Sequence, residues 1–212
     1  MKKNKRLKII LTLKEHVLNN SKEYTIVALL FVIGIFLGVL FVNNMQDAQK
    51  SEIDTYISNF INKFKSSDSI DNMALLKESA IQKLILAIGI WFFGTTVIGI
   101  PIVFGIVLYR GFCLGYTISI CVAILGIPKG LIFVLTSLLL QNILFIPAML
   151  ALSVSGFKLY KSIIKNKDKE NIKVEILRHT IFSFIMLIIL IFSSIIETFI
   201  SNNILKLIIK YF

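Results

Sequence analysis

Five runs of apolar residues divide the chain, and shorter stretches with charged or turn-forming residues separate them. The runs cover residues 24–42, 84–109, 111–128, 131–156 and 181–200. About 20 apolar residues suffice to cross the hydrocarbon core of a bilayer. The pattern therefore predicts an all-α fold, a polytopic membrane helical bundle of about five transmembrane helices with a small extracytoplasmic helical hairpin.

The second, third and fourth runs follow one another almost without interruption. One helix of that length would exceed the bilayer, so we expect tight turns at Arg110 and at Lys129. The tripeptide Gly-Ile-Pro occurs at 99–101 and at 126–128. We interpret the first as a kink within a span and the second as a turn.

The predicted domains are, in order, a basic cytoplasmic amphipathic helix, the first transmembrane helix, the extracytoplasmic hairpin, a four-helix membrane bundle with one cytoplasmic loop, and an interfacial tail. Their bounds are 1–23, 24–42, 43–83, 84–200 with the loop at 157–179, and 201–212.

Composition supports a membrane protein. Of the 212 residues, 56% are hydrophobic and only 17% are charged, and the mean hydropathy is +0.83. A soluble domain usually carries about 25% charged residues. A soluble enzyme, a disordered chain and a disulfide-rich secreted scaffold are therefore excluded.

The distribution of basic residues predicts the orientation. The formal net charge is +11, and Lys and Arg concentrate in 1–23 and 158–178. The positive-inside rule then places the N-terminus in the cytoplasm and, after five spans of the cytoplasmic membrane, the C-terminus outside. We expect anionic lipid headgroups as partners on the cytoplasmic side. No recognition-helix pattern supports a nucleic-acid partner.

The predicted hairpin carries an apolar stripe at helical spacing. Its members are Ile53, Tyr56, Ile57, Phe60, Ile61 and Phe64. In one interpretation the stripe packs within the hairpin and on the outer headgroups. In the other, Ile53, Tyr56, Ile57, Phe60 and Phe64 bind an extracytoplasmic partner protein.

Polar residues within the apolar runs are further candidates, because ionisable groups in hydrocarbon are energetically costly. Glu197 lies near the outer end of the last run, either at headgroup level or turned into the bundle. Gln141 and Asn142 precede Pro147 in the fourth run, which favours hydrogen bonding between helices over a substrate site.

Two glycine pairs have GxxxG spacing, Gly34 with Gly38 and Gly111 with Gly115. This spacing lets two helix backbones approach closely. It is compatible with contacts inside one chain and with a homo-oligomer.

Reactive motifs are missing from the sequence, which has no HExxH, no GxSxG and no glycine-rich phosphate loop. His16 and His179 are isolated, and we expect both to be solvated at the membrane interface. The sequence thus predicts a protein that is not an enzyme, with no catalytic residue, no cofactor and no metal site.

Four segments resemble the stage II sporulation protein M family, small integral membrane proteins of endospore-forming Firmicutes. They are YTIVALLFVIGIFLGVLFVN at 24–43, RGFCLGYTIS at 110–119, LLLQNILFIPAMLALSVSG at 138–156 and IIETFIS at 195–201. The last two are the most specific, because they place Gln141, Asn142, Pro147 and Glu197 where the family has a polar span with proline and a late glutamate.

The resemblance implies a non-catalytic membrane scaffold of the engulfment machinery. Such a scaffold recruits two cell-wall hydrolases, stage II sporulation proteins D and P, to the mother-cell side of the septum, where peptidoglycan remodelling drives engulfment. The competing prediction is a permease-like transport subunit for a small solute, which Gln141, Asn142 and Glu197 beside glycine and proline breaks would suit.

Overall fold

The computed structural model describes residues 20–66, 71–165, 169–201 and 203–205, without side-chain detail for 63–66, 139–141 and 169–171. Residues 1–19 of the predicted basic helix 1–23 and most of the tail lie outside these residues. Within them the chain is helical and contains no strand.

Seven α-helices, α1 to α7, and two π-helical turns make up the described fold. The helices are Ser21–Asn43, Asp47–Ser66, Asn72–Gly94, Ile100–Leu125, Ile127–Val134, Leu140–Lys165 and Lys169–Ile196. The first π-helical turn, Leu135–Leu139, joins α5 to α6, and the second, Glu197–Ser201, follows α7.

Four helical stretches are long and apolar enough to cross a membrane. They are Ser21–Asn43, Ile100–Leu125, Asn142–Lys165 and Ile172–Leu205. Helix α3 also runs through the bundle, but its first half carries Lys77, Glu78 and Lys83. The prediction of an all-α, multi-pass membrane bundle is confirmed.

The boundaries between the middle helices differ from the expected ones. The tripeptide at 99–101 starts α4 rather than kinking a span, because Gly99 precedes the helix and Pro101 lies in its first turn, where no hydrogen bond needs the proline nitrogen. Arg110 is therefore inside α4 and not in a turn. The expected loop 157–179 is also wrong, since α6 continues to Lys165 and α7 begins at Lys169.

The second Gly-Ile-Pro forms a turn, as the sequence predicts. Gly126 separates α4 from α5 and has a φ of 77°, a left-handed conformation that only glycine adopts without strain. Pro128 follows in the first turn of α5.

A side-chain cap starts α3 after the preceding segment. The Asp71 carboxylate accepts hydrogen bonds from the backbone nitrogens of Met73 at 3.0 Å and Ala74 at 3.1 Å. These two nitrogens have no partner within the helix, so the cap stabilises its first turn.

The bundle has two ends, and a different set of contacts identifies each of them. At the end that we call the Glu23 end, Lys161 Nζ of α6 lies 2.7 Å from Glu23 Oε1 of α1. At the other end, which we call the Ile57 end, Ile57 of α2 packs with Val42 and Ile120, where α1 and α4 finish. A larger apolar core between α1, α3, α4, α6 and α7 fills the rest.

Helices α1 and α4 run parallel with their backbones in contact. A Cβ atom on Gly34 would overlap the carbonyl oxygen of Leu108, and one on Gly38 would overlap that of Phe112. From the opposite side, a Cβ on Gly111 would overlap the carbonyl oxygen of Phe31. The contact positions advance together along both helices, so α1 and α4 point the same way.

Both GxxxG pairs are thus used in one contact within the chain. The fourth glycine, Gly115, lies against the backbone of Ile35 in the same way. Close approach of this kind brings many backbone and side-chain atoms into van der Waals contact, which is the main attraction between helices in lipid.

We expect Gly111→Ala to lower the free energy of unfolding in detergent micelles by about 1–3 kcal/mol, because the added methyl group forces α1 away from α4. Unfolding by SDS titration, followed by circular dichroism, measures this change.

The matched control is Gly89→Ala, since nothing lies within 4 Å of a Cβ built on Gly89 inside α3. This control should leave stability unchanged or raise it by up to about 1 kcal/mol through helix propensity. Equal losses for the two variants would contradict the close contact between α1 and α4.

Candidate functional site

A buried ion pair joins α3 to the end of α7. Lys83 Nζ lies 2.8 Å from Glu197 Oε2, and only 9% of the Lys83 side chain is exposed. The hydroxyl of Ser79 donates to the same carboxylate oxygen at 2.5 Å, and Lys83 Nζ donates to Ser193 Oγ at 3.3 Å. Glu197 is therefore turned into the bundle, which decides between the two positions that the sequence leaves open.

Helical spacing aligns both halves of this pair. Ser79 and Lys83 are four residues apart on α3, and Ser193 and Glu197 are four residues apart on the facing helix. Sequence reasoning misses Lys83, although this residue lies just before an apolar run. Glu197 is the lone carboxylate of the last apolar run and needs a cation as its partner. That requirement is the signal that could have identified Lys83.

A second cation lies at the same place. Phe145 of α6 is flanked by Lys83 Nζ, 5.9 Å from the ring centroid, and by the guanidinium carbon of Arg110, 5.6 Å from it. Cation–π attraction of this kind contributes about 0.5–2 kcal/mol, with the larger values where water is excluded. Arg110 thus belongs to the interior polar site and not to the tight turn that the sequence suggests.

Buried hydroxyl groups extend the polar site along the last helix. Ser194, Thr198 and Ser201 are almost fully buried, and their hydroxyl oxygens have no hydrogen-bond partner among the described residues. They lie on the segment that includes the second π-helical turn, which contacts the first π-helical turn and α6. A buried hydroxyl without a partner costs about 1–3 kcal/mol, and π-helical turns often mark functional sites.

The predicted polar and proline residues of the fourth run lie on α6. Asn142 is half-buried near the start of the helix, and Pro147 is exposed within it. The side chain of Gln141 lies outside the described detail. These residues lie within four positions of Phe145 in the sequence of α6, the helix that contributes the aromatic ring to the polar site.

His179 has a different environment from the one expected. It is 2% exposed and not solvated. Its Nδ1 lies 2.9 Å from Ser155 Oγ, and its Nε2 lies 3.4 Å from the backbone oxygen of Trp91. Gly94 and Gly156 provide the space, because a Cβ on either would lie 3.0–3.2 Å from the Cα of the other. The ring therefore ties α3, α6 and α7 together.

A serine next to a histidine is also the arrangement of a nucleophile and its base. Here Ser155 and His179 are both buried, and the second ring nitrogen faces a backbone carbonyl rather than a carboxylate. A groove of about 220 Å³ between α3 and α7 is lined by Trp91 and Thr180 but by neither of these residues. The described part of the chain also contains no group of three or more potential metal ligands.

The apolar stripe of α2 faces the bundle. Ile57 is buried in the apolar cluster at the Ile57 end, and Ile53 packs beside it. The Phe60 ring lies 6.3 Å from that of Phe133 in an edge-to-face contact. Tyr56 differs, since 73% of its surface is exposed.

The structure thus divides the predicted partner-binding residues into two groups. The chain itself covers Ile57 and most of Phe60 and Ile53, so these residues hold α2 in place. Tyr56 alone among the described members of the set remains available to another protein. The Phe64 side chain lies outside the described detail.

We expect Lys83→Met to lower the free energy of unfolding by about 3 kcal/mol, because it leaves the Glu197 carboxylate buried without its cation. This value is at the lower end of the usual range, since Glu197 keeps 31% of its side chain exposed.

The double variant Lys83→Met with Glu197→Met should recover most of that stability, because an apolar pair of similar volume replaces the ion pair. SDS-induced unfolding of the wild type, the two single variants Lys83→Met and Glu197→Met, and the double variant measures both changes. A double variant that is as unstable as the sum of the two singles would show that the two groups do not act as a pair.

Comparison with known proteins adds the family. No curated protein and no solved structure matches the chain. The family described as Stage II sporulation protein M matches residues 27–202, which include most of the membrane-crossing stretches and the interior polar site. The chain therefore belongs to the stage II sporulation protein M family and is a multi-pass membrane protein related to sporulation.

Proposed function

We propose that the protein is a non-catalytic scaffold of the engulfment machinery, and that it holds the peptidoglycan hydrolases stage II sporulation proteins D and P at the septal membrane. The observation that carries this proposal is the position of α2. Its apolar residues Ile57 and Ile61 fix it to the bundle, and Tyr56 points away as a large exposed side chain.

The rest of α2 supports a role in binding. The helix exposes polar residues that include Glu52, Asp54, Thr55 and Asn59. A helix that is already folded and packed on its own bundle through Ile57 and Ile61 loses less conformational entropy on binding a partner than an unfolded segment would. An exposed tyrosine is among the residues that contribute most to protein interfaces.

The groups that could perform chemistry are engaged in packing. Lys83 pairs with Glu197, and His179 contacts Ser155 and Trp91, each inside the bundle. This supports a binding role over catalysis.

We further propose that the Glu23 end is cytoplasmic and the Ile57 end is extracytoplasmic, on the mother-cell side of the septum. The sequence segments 1–23 and 158–178 hold fourteen Lys and Arg residues, against seven in 43–82, 127–130 and 203–212. The asymmetry remains although Arg110 and Lys83 lie within the bundle, so the positive-inside rule still favours this orientation.

A transport subunit is the second candidate. The three buried hydroxyls of Ser194, Thr198 and Ser201 beside two π-helical turns favour it, because irregular helices and unpartnered polar groups line the substrate sites of transporters. Against it, the Glu197 carboxylate, which a solute or ion could otherwise use, is already paired with Lys83.

Cysteine labelling tests the orientation. In a chain with Cys113 and Cys121 replaced by Ala, we expect Tyr56→Cys to react with a membrane-impermeant maleimide on intact cells, because α2 is exposed and extracytoplasmic. The control Lys165→Cys, at the other end of the bundle, should react only after the membrane is permeabilised. The reverse pattern would invert the orientation.

Substitution on α2 tests the docking role. We expect Tyr56→Glu to reduce co-purification of the hydrolases by at least about tenfold, since it places a charge in the contact. The same strain should arrest with flat or bulging septa when sporulating cells are stained with a membrane dye.

Two variants control this experiment. Tyr56→Phe keeps the aromatic ring and should retain most of the binding, and Ser51→Glu adds the same charge on another exposed face of α2. All variants should insert into the membrane at normal levels. Normal co-purification and normal engulfment with Tyr56→Glu would exclude α2 as the docking element.

A further inference from the structure

The interior of the bundle carries more positive than negative charge. From residue 79 to residue 167 the sequence contains no Asp or Glu, and this segment includes Lys83 of α3 and Arg110 of α4. Glu197 is the carboxylate that reaches Lys83, and the two groups are paired at 2.8 Å. One positive charge is therefore left over in the middle of an apolar bundle.

Arg110 carries that excess charge. It lies ten residues into α4, about 15 Å from the start of the helix. Its guanidinium group contacts the ring of Phe145, and no ion pair of Arg110 occurs within the described ranges. The residue is half-buried, so one side of it remains accessible.

An arginine at this depth needs a negative charge. Transferring an unpaired guanidinium into hydrocarbon is unfavourable, and ionisable residues within membranes usually pair with one another or with backbone carbonyls. The face of a ring attracts a cation but does not neutralise it. The 11 acidic residues other than Glu197 all lie outside the apolar runs, so the sequence offers no second carboxylate near the centre of the bundle.

The exposed surface of α4 that borders the side carrying Arg110 is suited to another helix. Ile102, Gly105 and Tyr109 follow each other at helical spacing on α4 and are exposed. Tyr109 keeps 62% of its surface, and nothing lies within 4 Å of a Cβ built on Gly105. A glycine in the centre of an exposed apolar stripe allows a second backbone to come close.

We propose that this face of α4 binds a transmembrane helix of a partner protein, and that a carboxylate near the middle of that helix pairs with Arg110. A lipid phosphate fits the depth less well, because phosphates lie at the bilayer surface, about 15 Å from its centre. Arg110 and Tyr56 lie on different elements, so each surface can be removed without the other.

The stability of the isolated chain gives the first test. Arg110→Leu should change the midpoint of SDS-induced unfolding much less than Lys83→Leu does, because the lost contact with the Phe145 ring is offset by removal of a charge that the chain alone does not neutralise. Lys83→Leu should lower the midpoint, since it leaves the Glu197 carboxylate without its cation. If Arg110→Leu destabilises the chain as much as Lys83→Leu, Arg110 is a structural residue and the proposal fails.

Binding to a synthetic helix gives the second test. The probe is a Leu-Ala transmembrane peptide with a single central Asp, compared with the same peptide carrying Asn, and energy transfer to labelled protein in phosphatidylcholine vesicles measures association. We expect the Asp peptide to bind at least about tenfold more tightly than the Asn peptide. Arg110→Leu should abolish the difference and Arg110→Lys should keep it.

Two controls accompany the peptide experiment. Lys129→Leu removes one positive charge at the Ile57 end and should not affect binding of the Asp peptide. Vesicles that contain anionic phosphatidylglycerol show whether Arg110 binds a lipid phosphate instead. Equal binding of the Asp and Asn peptides would overturn the proposal. The proposal would also fail if Arg110 were needed for binding phosphatidylglycerol but not for binding the Asp peptide.

Discussion

The contact between α1 and α4 is the constraint on which the rest of the bundle depends. Gly34, Gly38, Gly111 and Gly115 bring two parallel backbones together, so that each glycine faces a carbonyl of the other helix. Lipid offers no hydrophobic force between helices, and attraction therefore comes from close packing. Because α1 and α4 are fixed to each other, α6 can pack against both of them in the larger apolar core.

Polar groups then define how the remaining helices are placed. The Lys83–Glu197 pair joins α3 to α7 in the half of the bundle nearer the Ile57 end. His179 joins the same two helices and α6 nearer the Glu23 end. A polar group left without its partner in hydrocarbon is strongly unfavourable, so each contact excludes alternative helix arrangements. The net contribution of such a buried pair to stability is small, because the cost of removing both charges from water offsets much of their attraction.

The same logic separates structure from function in this protein. A side chain whose partner lies within the chain, such as Ile57 or Lys83, holds the fold together. A side chain that the fold exposes or leaves without a counter-charge, such as Tyr56 or Arg110, is available for another molecule. The proposed scaffold function rests on surfaces of this second kind.

The sequence by itself determined the properties that belong to single segments. Apolar length is enough to assign the all-α membrane class, and Gly126 with Pro128 is enough to place the turn before α5, because span length and turn chemistry are local. Helical spacing also reveals the inward face of α2 and the two glycine pairs, but not which helices these faces meet.

Only the tertiary structure decided which residues are partners. In the sequence, Arg110 separates two apolar runs and resembles a break between helices. In the structure the break lies at 95–99, and Arg110 faces the ring of Phe145 together with Lys83. The burial of His179 escapes sequence reasoning for a similar reason, since its contacts come from other helices. The energy of a charged or polar group depends on neighbours that are distant in sequence, and their identity is fixed when the helices assemble.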